Sequence, residues 1–152
     1  MYLGIDSGTS AMKCLVMGEE QEIIYSVSSD EIPLSNLRNG WSEQDPESWI
    51  VALETCLKKL QLKIDFQQIK SISFSGHMHG ATCLNEKNEV IRPCILWNDT
   101  RSHQECEEIM RDNSVKDIAG NIAMPGFTAP KVLWLKYNAV SYTHLRAHET
   151  PE

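Results

Sequence analysis

Asp6-Ser7-Gly8-Thr9-Ser10 lies between two apolar runs, Leu3 with Ile5 before it and Met12, Cys14, Leu15, Val16 and Met17 after it. A strand, a tight turn of small hydroxyl residues and a second strand are what this pattern predicts. Successive backbone N–H groups in such a turn form a concavity for anions, and Gly8 lets that backbone approach a phosphate closely. The Thr9 and Ser10 hydroxyls add donors, and Asp6 stands at the mouth, where a carboxylate holds Mg²⁺ through its water shell. An ordinary hairpin, whose Asp and Ser residues merely satisfy the turn, fits the same residues.

Three further segments carry polar groups suited to a ligand. Ser75-Gly76-His77-Met78-His79-Gly80 follows the β-rich run Ile72-Ser73-Phe74. Its two histidines would bind a metal only with further ligands, and none has convincing spacing, so a satisfied turn histidine is the ordinary alternative. Gly76 and Gly80 would let a ligand come close to the backbone. Ile95-Leu96-Trp97-Asn98-Asp99-Thr100-Arg101 ends a strand in Asn-Asp, presenting acceptors and donors where α/β proteins bind ligands. Asp99 suits both a helix N-cap and a ligand acceptor, and the two roles are compatible. Arg101 is its ion-pair partner, a ligand donor or a surface charge, and Trp97 is expected in the core. In Met124-Pro125-Gly126-Phe127-Thr128-Ala129-Pro130-Lys131, Thr128 fits an N-cap and Pro130 the first turn of a helix.

The elements that must position these groups are legible in outline. Strands are predicted near 2–7, 11–17 and 22–28, an opening meander, followed by a loop over 29–45. Asp45-Pro46-Glu47 supplies an N-cap, a proline at the first helical position and an acid in the first turn. The helix then runs to about residue 61, with Trp49, Ile50, Leu53, Cys56, Leu57 and Leu60 at helical spacing. A fourth strand is predicted at 69–75, with Ile72 and Phe74 on one face. A strand pair should flank the Asn85-Glu86-Lys87-Asn88 turn, and another strand should end near Trp97. Helices should cover 101–112 and 128–138. The order β-β-β-α-β, then further strands and helices, implies one mixed sheet.

With Gly4-Ile-Asp-Ser-Gly-Thr-Ser and Gly40-Trp41-Ser42-Glu43-Gln44-Asp45-Pro46, these blocks resemble in order and spacing the amino-terminal domain of the FGGY carbohydrate kinases. The resemblance covers roughly residues 1–138, and within the family it is nearest to members that phosphorylate D-xylulose. It implies an α/β chain with the ribonuclease H-like fold of the actin, hexokinase and heat-shock ATPase superfamily, a mixed sheet flanked by helices, in one incomplete domain. It implies ATP and Mg²⁺ as cofactors, with Gly8, Thr9 and Ser10 facing the phosphates, Asp6 positioning the metal and Lys13 contacting the transferred group. A solvated charge on a strand face is the other reading of Lys13. Met78, His79, Asn98, Asp99, Arg101 and Phe127 would line the sugar site. The family's general base and its second domain lie beyond this chain, so the chain alone should be inactive and its carboxy-terminal kinase domain absent, with a homodimer for the intact enzyme. A family member acting on ribulose, glycerol or gluconate, or a non-catalytic actin-like module binding nucleotide or sugar, remain the alternatives.

Composition sets the remaining bounds. At 152 residues, with 41% hydrophobic and 23% charged content, the chain fits one soluble globular domain. A net charge of −7 disfavours nucleic acid or an acidic membrane as main partner. No apolar stretch is long enough for a membrane helix, and the start lacks a basic secretory region. Five cysteines with irregular gaps and no Cys-x-x-Cys pair suit a reducing cytoplasm. Residues 139–152 hold two of the five histidines, His144 and His148, without a core-forming period, and are expected to be a non-native or disordered tail.

Overall fold

A computed structural model describes residues 1–138, so the expected tail over 139–152, with His144 and His148, lies outside the described residues. The elements are β1 (Tyr2–Ser7), β2 (Met12–Met17), β3 (Ile23–Ser28), β4 (Glu43–Gln44), α1 (Pro46–Gln61), β5 (Ser71–Gly76), β6 (Cys94–Ile95), α2 (His103–Met110), α3 (Asn113–Ala119) and α4 (Thr128–Asn138). They divide between two compact units, Met1–Ser35 with Gln44–Met78, and Asn36–Glu43 with the residues from His79 onward.

The first unit is built on a four-stranded mixed sheet of order β3-β2-β1-β5. β1, β2 and β3 form the predicted antiparallel meander, while β5 joins β1 in parallel. Period-2 alternation sends Leu3, Ile5, Met12, Cys14 and Val16 to one face, where they pack against Ala52, Cys56 and Leu60 of α1. Full burial of each such aliphatic side chain stabilises the fold by about 1.5–3 kcal/mol. α1 starts as predicted, with Pro46 first in the helix and the Asp45 carboxylate accepting the Glu47 N–H at 3.1 Å. Lys59 Nζ near its other end donates to the Ser28 carbonyl of β3 at 2.8 Å. In the parallel register Ile72 faces Leu3 and Phe74 faces Ile5, so they share one face, as expected, and it is the core side. They nevertheless stay 54% and 70% exposed, because α1 packs over β2 and β3 and leaves β5 uncovered.

The second unit departs further from the sequence reading. Its strands do not extend the first sheet: a separate two-stranded sheet sets β4 beside β6, with Leu96 N–H donating to the Ser42 carbonyl at 3.0 Å. Ala81, Ile95 and Leu135 form its small apolar core. The strand pair expected around residues 85–88 is reduced to one bridge, Leu84 with Val90. Asn85 explains this: its side-chain oxygen accepts the N–H groups of both Lys87 and Glu89 at 2.9 Å, so the turn satisfies itself locally. The helix expected over 101–112 ends at Met110, and α3 follows, started by the Asp112 carboxylate on Ser114 N–H at 2.9 Å and stopped by left-handed Gly120. Among the described residues no helix is long and apolar enough to cross a membrane.

Candidate functional site

In the first unit the opening carboxylate is braced from β5. Asp6 lies opposite Lys13 on β2 and opposite Ser75 on β5, and the Ser75 hydroxyl donates to Asp6 Oδ1 at 2.6 Å. Both Asp6 and Lys13 are exposed. They border an open cavity of about 560 Å³ on the sheet face opposite α1, with Leu15, Ser26 and Ser75 among its lining residues. The turn after Asp6 is held from several sides. Gly8 N–H donates to the Ala11 carbonyl at 3.1 Å, so that amide is used inside the turn. The Thr9 carbonyl accepts from Gln44 Nε2 at 2.6 Å and the Ser10 carbonyl from Ile32 N–H at 2.8 Å. Ser10 itself is exposed and Thr9 half-buried.

The end of β5 closes against the same turn. His77 N–H donates to the Ser7 carbonyl at 3.2 Å, and a Cβ on Gly76, at φ +154°, would stand 2.7 Å from that carbonyl oxygen. Gly76 therefore permits the close contact between strand and turn. The His77 ring stacks on Trp49, with centroids 5.1 Å apart, and Met78 is exposed. Among the described residues no three His, Cys, Asp or Glu side chains gather to hold a metal.

In the second unit Asp99 and Arg101 serve each other. Asp99 is fully buried and accepts Ser42 N–H at 2.6 Å, Arg101 N–H at 2.9 Å, and the guanidinium through Nε and Nη2, the latter at 2.7 Å. The guanidinium is 1% exposed, pairs through Nη1 with Glu43 at 2.6 Å and lies 3.7 Å from the Trp41 ring centre. Arg92 pairs with the same Glu43 oxygen. Such paired, hydrogen-bonded burial is what makes the charges tolerable. Asp99 does not cap α2; Ser102 occupies that position, and its hydroxyl donates instead to the Pro125 carbonyl at 3.2 Å. Trp97, expected in the core, is 47% exposed, because the chain turns outward beyond buried Leu96.

The groups left facing outward are His79, Asn98 and Phe127. His79 and Asn98 are exposed, and the His79 ring lies 4.7 Å from the half-buried Phe127 ring at an interplanar angle of 43°. A Cβ on Gly126 would stand 2.5 Å from the Trp97 carbonyl oxygen, so glycine lets the loop bearing Phe127 abut the strand end bearing Asn98. Ring faces beside hydrogen-bonding side chains are the surface a polyol needs: flat apolar contact for carbons, donors and acceptors for hydroxyls. Sequence reasoning missed Glu43, Arg92 and Lys131. Lys131 is fully buried, which pushes its ammonium pKa down, with nearby Asp99 opposing the shift. Nothing in a helical lysine signals burial, and Ser42 and Glu43 stand far along the chain from Asp99, Arg92 and Arg101, the partners they meet.

Residues 1–147 match the amino-terminal domain of the FGGY family of carbohydrate kinases. The chain is 42% identical over 138 residues to a xylulose kinase of Klebsiella pneumoniae, covering 90% of itself and 28% of that protein. It is also similar to the crystal structure of a "xyloylose kinase" from Brucella ovis, at 45% identity and a TM-score of 0.88 over 92% of this chain and 30% of that one. The structure of a gluconate kinase from Lactobacillus acidophilus is 28% identical, with a TM-score of 0.81 over 91% of this chain and 28% of that one.

Proposed function

The chain belongs to the FGGY family of carbohydrate kinases, and from that premise we propose that it carries the phosphate and sugar sites of a kinase moving the ATP γ-phosphate onto a terminal hydroxyl of D-xylulose. The observation that carries the phosphoryl-transfer reading is Asp6, exposed, braced by Ser75 and set at the mouth of a turn whose carbonyls are tied to Gln44 and Ile32. Phosphoryl transfer depends mostly on positioning and charge neutralisation, and a pre-set turn with hydroxyls at Thr9 and Ser10 supplies the positioning. Lys13 adds a cation across the strand pair from Asp6. A single exposed carboxylate suits Mg²⁺, which keeps several waters and takes its other oxygens from substrate phosphates. When bound, Mg²⁺ would neutralise the charge gathering on those phosphates.

For the sugar, His79, Asn98 and Phe127 make direct contact in this reading, and Asp99 with Arg101 fixes the loop that bears Asn98. The described residues 1–138 make up most of the match to the family domain, which runs over 1–147. The general base is supplied from outside them, so the chain alone transfers no phosphate. D-xylulose is favoured over other polyols by the names of the similar kinases from Klebsiella and Brucella; gluconate is the second reading, supported by the similarity to a gluconate kinase. Ligand-detected NMR on the purified chain should show saturation transfer to D-xylulose and not to gluconate. Transfer to gluconate alone would reverse the sugar assignment, and ATP-dependent formation of a sugar phosphate by the chain would refute its inertness.

A further inference from the structure

Lys131 is an expensive residue to enclose, since lysine is almost never fully buried without a partner for its charge. Here it is 0% exposed, in the first turn of α4, and its Nζ donates to two backbone carbonyls, His79 at 2.8 Å and Gly126 at 2.7 Å. Each carbonyl belongs to one side of the same aromatic contact. His79 holds a left-handed backbone at φ +61°, a conformation that costs a non-glycine residue free energy unless its surroundings enforce it. Gly126 is pressed against the Trp97 carbonyl and leads directly into Phe127. The two rings then meet at 4.7 Å.

We propose that Lys131 is a positioning residue: by clamping the His79 and Gly126 carbonyls from inside the fold, it holds the His79 imidazole and the Phe127 ring together as one preformed wall of the sugar site. The inference rests on the sugar reading given above, and adds to it the group that sets the wall's geometry. Lys131 touches no substrate; its contribution is to remove the cost of ordering the two rings when a sugar arrives. An ammonium suits the task because its three donors diverge, whereas an apolar side chain of equal length would fill the same space and leave both carbonyls unsatisfied.

The test is NMR on this chain and its Lys131→Met variant, following the ring protons of His79 and Phe127 during a D-xylulose titration. In the unaltered chain, the Lys131 Nζ protons should exchange slowly and show proximity to the His79 and Gly126 backbones, and the two rings should show mutual proximity. In Lys131→Met that ring signature should vanish while the remaining spectrum stays dispersed, and D-xylulose affinity should fall about tenfold, the scale of one lost charged hydrogen-bond anchor. A folded variant with the ring signature and sugar affinity intact would overturn the proposal. Should Lys131→Met fail to fold, the unaltered chain still decides: rapidly exchanging Nζ protons, or rings without proximity, would overturn it. Failure of the unaltered chain to perturb its rings on adding sugar, with the clamp signature present, would instead fall on the sugar reading.

Discussion

At the scale of single residues, the second unit is organised around charges that would be ruinous if separated. Asp99 is fully buried and takes hydrogen bonds from Ser42 N–H and from Arg101 through both backbone and side chain. Asp99→Ala leaves the Arg101 guanidinium enclosed with less than its due of negative charge, and should cost about 3–5 kcal/mol. That is a large share of the stability of an ordinary domain. Urea unfolding followed by tryptophan fluorescence is the direct measurement, since Trp41 and Trp134 flank that guanidinium; a loss under 1 kcal/mol would show the network to be dispensable. The cysteines give a second, pH-dependent prediction. Burial first, and the neighbouring Cys56 thiol second, push Cys14 from 9.0 up to about 12. The folded chain thus holds a proton there that the unfolded chain releases, so this stabilisation is complete below pH 9 and is lost as pH rises toward 12. Urea midpoints between pH 8 and 12 should fall less steeply in a Cys14→Ala, Cys56→Ala double variant than in the parent, although burial-depressed Lys131 tilts both curves the other way.

At the scale of elements, α1 depends on its first turn. Asp45 accepts the Glu47 N–H at 3.1 Å through its side chain, and its carbonyl accepts the Ser48 N–H at 3.0 Å. Asp45→Ala removes only the side-chain bond and should cost about 1 kcal/mol, visible as a lowered urea midpoint with unchanged slope. A larger loss would mean that the cap also holds the Gln44 side chain, which bonds the Thr9 carbonyl and accepts from Trp49. The cap, β1, β2, β3 and α4 were legible because their signals are local: alternation, a proline at the right place, a helical period. The break between α2 and α3 was local too, in Asp112 and Ser114, but a short helix that starts after only two intervening residues is easily read as part of one continuous helix. The candidate site was legible only as a set of types. Its outward members, His79, Asn98 and Phe127, carried sequence signals, whereas the division between outward-facing and buried groups came from long-range partners such as Ser42 with Asp99. No local pattern tells an aspartate that a distant backbone amide will bury from one left at the surface.

At the scale of the whole molecule, the chain spans 28% of the Klebsiella relative, and its first unit shows a sheet edge that lacks cover. β5 is the terminal strand of the sheet among the described residues, with Ile72 and Phe74 exposed on the core side and serines on the other. Parallel strands are ordinarily buried on both faces, and an uncovered apolar edge invites pairing with another chain. The isolated chain should therefore self-associate at micromolar concentration, and an Ile72→Lys, Phe74→Lys double variant should move it toward monomer by light scattering or sedimentation. The two lysines also bring the net charge of −7 nearer to zero, which by itself favours association. A gain in monomer can then be credited only to the altered edge. Because both side chains are more than half exposed, the unfolding free energy from urea titration should change by no more than about 0.5–1 kcal/mol, leaving the midpoint nearly in place. Unchanged association at an unchanged midpoint would place the sticky surface elsewhere, and a collapsed midpoint would show that these side chains already have cover in solution.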